Sequence, residues 1–191
     1  MKKIEIKGKH NKDKITKAND PNNATIVAVR DCMQNMPIFV FDCAFQILLI
    51  NKIYLNLDII ELDLNLESIK NIKFTKECLR EIDKKIASYK TQDIHKKKYD
   101  ENNITRAETI EKLVASKLKC YYCKSEMLIF YNKVRDQTQW TLDRIDNNLP
   151  HSNENVIISC LKCNLQRRCQ SKDKFLFTKQ LKIVKEKDII N

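Results

Sequence analysis

The chain has 191 residues, a formal net charge of +11, eight cysteines, three prolines and a single glycine, Gly8. One glycine rules out Gly-rich phosphate loops, so no Walker motif and no dinucleotide fingerprint is present. The positive excess attracts polyanions, with nucleic acid as the first expectation and a membrane surface discounted, because no apolar run is long enough to span a bilayer.

Residues 1–23 are polar and lysine-rich, with the turn-forming cluster Asn19-Asp20-Pro21-Asn22-Asn23, and read as a flexible basic arm. The first seven residues lack the apolar core of a signal peptide. Eight cysteines without such a signal predict a reducing compartment, cytoplasmic or nuclear, where thiols bind metal or lie buried.

Residues 24–100 read as an α+β region that carries no chemical motif. Stretches 25–29 and 38–41 are rich in β-branched and aromatic residues and predict strands. Stretch 44–50 suits strand or helix equally, and the alternation over 62–66 predicts a half-exposed strand. Cys32 and Cys43 have no partner at ligand spacing and are expected as core thiols. Over 74–98, Phe74, Cys78, Leu79, Ile82, Ile86 and Tyr89 recur at three and four, which predicts an amphipathic helix. Its end, His95-Lys96-Lys97-Lys98, suits a helix C-terminus and can meet phosphate.

Residues 101–191 form the third region. Thr105-Arg106-Ala107-Glu108 is a capping box, so a short helix is expected to deliver the chain to Cys120. Cys120-Tyr121-Tyr122-Cys123 and Cys160-Leu161-Lys162-Cys163 are two CxxC pairs. Two residues between cysteines let both sulfurs face one point, and four thiolates make a closed tetrahedral shell for zinc. Between the pairs, stretches 126–131 and 138–142 predict strands, a turn-prone loop follows through Asp146, and 155–158 predicts another strand. A helix is expected over about 160–169, and an amphipathic helix from Ser171 closes the chain. The order from residue 138 is thus strand, loop, strand, helix.

Cys-x-x-Cys, Leu142-Asp143, Asn155-Val156 and Cys-x-x-Cys-Asn164 together resemble the HNH endonucleases of the ββα-metal class. The likeness is to the zinc-stapled branch that includes phage junction-resolving endonucleases, over roughly residues 105–180. The resemblance implies an α+β fold whose C-terminal module hydrolyses phosphodiester bonds in nucleic acid, DNA favoured. It implies that Asp143 and Asn164 hold a divalent Mg²⁺ or Mn²⁺, and that Asn155 secures the loop presenting the general base. Where the family carries a histidine base after the Asp, this chain carries Arg144. A guanidinium stays protonated, so it cannot take a proton from water, but it can clamp phosphate. His151, in the same loop, titrates near neutrality and is the alternative base. Arg144, Lys162, Arg167, Arg168 and Lys172 are the expected phosphate contacts. Two other readings remain open: a zinc-stapled nucleic-acid-binding protein without cleavage, and a basic structural protein that uses the staple as a scaffold.

Overall fold

The computed structural model describes residues 30–55 and 68–181. The arm at 1–23, the strands expected at 25–29 and 62–66, and the chain beyond Leu181 lie outside the described residues. The described chain is mixed helix and sheet. Single 3₁₀ turns at Asp31–Met33 and Ile38–Phe41 lead into α1 (Cys43–Tyr54). Helices α2 (Ser68–His95) and α3 (Arg106–Ala115) follow, then strands β1 (Trp140–Arg144) and β2 (Val156–Cys160), and helices α4 (Leu161–Arg167) and α5 (Lys172–Gln180).

Local chemistry explains most of these boundaries. Asp42 caps α1 by accepting from the Phe45 N–H at 3.0 Å. The capping box at α3 forms in both directions between Thr105 and Glu108. Ser171 caps α5. The strand expected over Ile38–Phe41 is a 3₁₀ turn instead: Pro37 opens it, and its carbonyl accepts from the Val40 N–H at 3.1 Å.

The stretch 126–131 also departs from the expected strand, retaining only isolated bridges at Lys119↔Glu126 and Leu128↔Gln139. Its backbone finds a partner other than a sheet. The side-chain oxygen of Gln46, a fully buried residue on α1, accepts from the N–H groups of Ile129 and Phe130 at 2.6 and 3.1 Å. The Gln46 amide nitrogen donates to the carbonyls of Val40 and Phe130. One amide thus stands in for a missing neighbouring strand.

Strands β1 and β2 pair antiparallel, with Trp140 opposite Cys160 and Asp143 opposite Ile157. Successive side chains alternate faces, so Thr141 and Asp143 share one face and Trp140, Leu142 and Arg144 the other. Helix α4 meets the first face: Asn164 donates to the Thr141 hydroxyl and Arg167 to the Asp143 carboxylate. Helix α2 runs along the edge of β1 away from β2. There Lys85 donates to the Trp140 carbonyl, and the Tyr89 hydroxyl accepts from the Leu142 N–H at 3.2 Å. Asp93 accepts from the Arg144 guanidinium. The spacing fits, since four helical residues rise about 6 Å and two strand residues about 6.7 Å. The open edge of the strand is therefore covered by a helix.

The apolar stripe of α2 packs as expected, with Phe74, Cys78 and Ile82 buried. A single cluster of buried apolar residues runs from Met33 through Ile82, Leu113, Trp140 and Ile158 to Phe175. It crosses the boundary expected at residue 100, so the described parts of the 24–100 and 101–191 regions share one core.

Replacing Gln46 with leucine keeps the volume and removes all four of its bonds, leaving the N–H groups of Ile129 and Phe130 and the carbonyls of Val40 and Phe130 without that partner. We expect a loss of about 2–4 kcal/mol in urea denaturation. A change below about 0.5 kcal/mol would show that the 126–131 stretch does not depend on this amide.

Candidate metal cluster and adjacent cleft

The first cysteine pair sits at the tip of a tight turn. The Lys124 N–H reaches the Cys120 carbonyl, the Cys120 N–H reaches the Ser125 carbonyl, and Lys124 adopts a positive φ of 59°. The Tyr121 N–H donates to the Ile158 carbonyl, which ties this turn to β2. The second pair forms where β2 runs into α4, with Cys160 as the capping residue of the helix. The four sulfurs lie within 4.8 Å of one another. Cys123 and Cys160 are 3.8 Å apart. A tetrahedral ion with metal–sulfur bonds of about 2.3 Å requires sulfurs about 3.8 Å apart. The Cys160 N–H points at the Cys120 sulfur at 3.3 Å, and the Cys163 N–H at the Cys160 sulfur at 3.4 Å. These donors stabilise thiolates.

Two of the four thiols are shifted in opposite directions. Hydrogen bonding from Cys160 pulls the Cys120 thiol down to about 4, against its burial. Burial and the neighbouring Cys120 push Cys163 up to about 12. Four adjacent negative sulfurs repel one another unless a cation lies between them. Donor type, count and spacing fit a metal ion such as zinc.

The middle of the first knuckle connects this cluster to the carboxylate of β1. Tyr122, buried between Tyr121 and Phe175, donates its hydroxyl to Asp143 Oδ2 at 2.9 Å. Arg167 completes the arrangement as a two-pronged clamp, with Nε to Oδ2 at 2.9 Å and one terminal nitrogen to Oδ1 at 2.7 Å. The same guanidinium donates to the carbonyls of Gln170 and Arg144. Asp143 and Arg167 are 2% and 1% exposed, so the pair is almost wholly buried. The sequence places Arg167 among the phosphate contacts; the fold turns it inward, because a carboxylate buried in β1 needs a charged partner.

A cleft of about 490 Å³ opens beside this pair. Asp143, His151 and Asn164 all line it, together with Arg144, Arg168, Lys96 and Lys98. Three distant stretches of sequence supply these walls: the end of α2, the β1–β2 unit with its loop, and α4. Asn155 holds the loop together. Its side chain accepts from the Asp146 N–H and donates to the carbonyls of Asp146 and Pro150, at 2.8–2.9 Å. Asp146 caps the turn through the Asn148 N–H, as its turn-prone neighbourhood predicts.

The expected hard-cation ligands both reach the cleft. Asp143 Oδ2 accepts two bonds and Oδ1 one, which leaves one lone pair on Oδ1. The Asn164 amide nitrogen is taken by Thr141, so its carbonyl oxygen has no donor among the described residues. Two oxygen donors would suit a divalent ion that keeps most of its waters, and the Arg167 charge would weaken their hold on it.

His151 is 4% exposed, and its Nδ1 lies 2.8 Å from Asp93 Oδ2. Burial lowers its pKa below the ordinary imidazole value, opposed by Asp93 and aided by Arg144 and Lys96. Arg144 lies between the Asp93 carboxylate and the Leu149 carbonyl, with its side chain 10% exposed. Arg168 is exposed in the cleft wall, whereas Lys162 and Lys172 lie outside it. Asp93 is the residue that sequence reasoning missed. Its one signal is position: it continues the apolar row Cys78, Ile82, Tyr89 by one more turn, where an acid has no reason to be unless a partner meets it.

Arg167→Met leaves Asp143 buried and unpaired. We expect it to cost about 3–5 kcal/mol in chemical denaturation, against about 1 kcal/mol for Tyr122→Phe. Equal losses in the two variants would contradict a charge-paired Asp143. Neither family models, nor curated proteins, nor solved structures match the chain, so the chemistry of the site rests on its own residues.

Proposed function

We propose that this chain is a metal-dependent endonuclease of the HNH type, hydrolysing phosphodiester bonds in nucleic acid, DNA favoured. Its scaffold is stapled by one zinc ion at Cys120, Cys123, Cys160 and Cys163. The observation that carries the reading is the cleft in which Asp143, His151 and Asn164 meet beside Arg144, Arg168, Lys96 and Lys98. Carboxylate, imidazole and amide are the groups that phosphodiester hydrolysis uses, and the cations supply the field that draws a phosphate backbone in.

In this reading Arg144 and Arg168 hold the phosphate. Nε2 of His151 takes a proton from water, the water oxygen bonds to phosphorus, and the phosphorus–oxygen bond to the departing nucleotide breaks. Asp143 and Asn164 would hold a magnesium or manganese ion, which when bound supplies Lewis-acid stabilisation of the charge that develops on the phosphoryl and leaving oxygens. Arg144 thus keeps the phosphate role that a guanidinium permits, and the base moves seven residues along the loop.

The second reading is a zinc-stapled nucleic-acid-binding protein that does not cleave. The Arg167 clamp favours it, since it already occupies both oxygens of Asp143.

Plasmid nicking with Mg²⁺ or Mn²⁺ separates the two. We expect the wild type to nick, Asp143→Ala to abolish nicking, and His151→Ala to slow it by about 10²–10⁴-fold. Because the base must be neutral and its pKa is lowered, the rate should rise with pH through a midpoint below the usual 6.5 and be level at neutrality. Binding that weakens steeply with salt and yields no cleavage would transfer the assignment to the second reading. For the staple, we expect about one equivalent of zinc after dialysis and a large loss of thermal stability with Cys160→Ser. Less than that with thiols reduced would remove zinc from the assignment.

A further inference from the structure

The edge of β1 needs cover, and Lys85 and Tyr89 of α2 provide it. Asp93 lies one turn further, and its carboxylate bonds to no strand backbone among the described residues. It is fully buried, and Oδ2 accepts two bonds from one residue: the backbone N–H of His151 and its ring Nδ1, each at 2.8 Å. Oδ1 accepts from Arg144 at 3.3 Å. Tyr89 lies against the imidazole, with ring centroids 4.6 Å apart. Anchoring the loop requires only the backbone bond. The second bond, to the ring, constrains chemistry: a carboxylate only accepts, so Nδ1 must carry a proton. In the neutral imidazole this leaves Nε2 with its lone pair, and Nε2 has no protein partner among the described residues. His151 lines the cleft.

We infer that Asp93 is a positioning residue, contributed by α2, that fixes His151 as the Nδ1–H tautomer and so reserves Nε2 as the proton acceptor in the cleft. The inference rests on the endonuclease reading for what Nε2 does, but not for the tautomer itself. It gives the 24–100 region a part in the site: without α2, the loop loses its anchor at the His151 N–H and the imidazole loses its orientation. Arg144 draws on the same carboxylate, so a phosphate that engages Arg144 leaves Asp93 more fully to His151. The charged groups around the ring are Asp93 and Lys96 from α2 and its end, Arg144 from β1, and Lys90 and Glu101 across a smaller pocket of about 230 Å³ on its other side.

The test uses the full chain, first without substrate. Nitrogen-resolved NMR of the imidazoles in the wild type should show neutral His151 protonated at Nδ1; an Nε2–H tautomer would overturn the inference, and this holds whether or not any variant folds. In Asp93→Asn, the His151 midpoint should fall by about one pH unit or more, because the carboxylate no longer favours the imidazolium. In cleavage, the same variant should lose about 10²-fold or more in kcat with little change in KM. The acid limb of its pH profile should move down with the NMR midpoint, and Asp93→Glu should restore part of the rate. An Asp93→Asn protein whose midpoint and pH profile stay in place would make Asp93 an anchor for the loop alone. A wild type that shows the Nδ1–H tautomer and does not cut nucleic acid ends the endonuclease reading and leaves the tautomer assignment standing.

Discussion

Four sulfurs brought to one point are the constraint from which the C-terminal half follows. The turn at Cys120 and the strand end at Cys160 are forty residues apart in sequence, and little else joins them so directly. Once they meet, β2 must end beside the first knuckle, α4 must start at the second, and Tyr122 is delivered to Asp143. The distance from staple to cleft is therefore one side chain. Soft and hard donors stay separate, with sulfur on one side of Tyr122 and oxygen on the other.

The second organising feature is the treatment of β1, which carries charge on both faces while being buried. Asp143 points to α4 and is neutralised by Arg167; Arg144 points the other way and meets Asp93. Adjacent residues of opposite charge thus each find a partner of the other sign on a different helix. A buried pair of this kind adds little net stability, but it is selective. Slipping the strand by one residue would set either Asp143 against Asp93 or Arg144 against Arg167, depending on its direction, so the pairs discriminate against the wrong register.

Much of this was legible in the sequence, and the reasons differ by element. The CxxC pairs, the capping box at Thr105 and the strand–loop–strand–helix order are local patterns, and local patterns survive into the fold. The stretch 126–131 has the composition of a strand, yet its N–H groups at Ile129 and Phe130 are met by Gln46, 83 residues before Ile129. Arg167 reads as a surface cation because helix periodicity alone does not reveal that the facing strand presents a carboxylate. Asp93 has the same origin. Its meaning depends on a loop more than fifty residues away, and nothing within α2 announces it beyond an acid in an apolar row. The division at residue 100 follows a real change in composition, but composition does not report that two stretches share one core.

The helix lying along β1 also limits how the chain can be cut. A fragment beginning after residue 100 would keep all four cysteines, both strands and the loop, and on inspection would look like a self-sufficient unit. It would nevertheless expose the Trp140 carbonyl and the Leu142 amide on a bare ribbon edge, next to the indole of Trp140. Such an edge recruits other copies of itself, so the shortened protein should be prone to self-association.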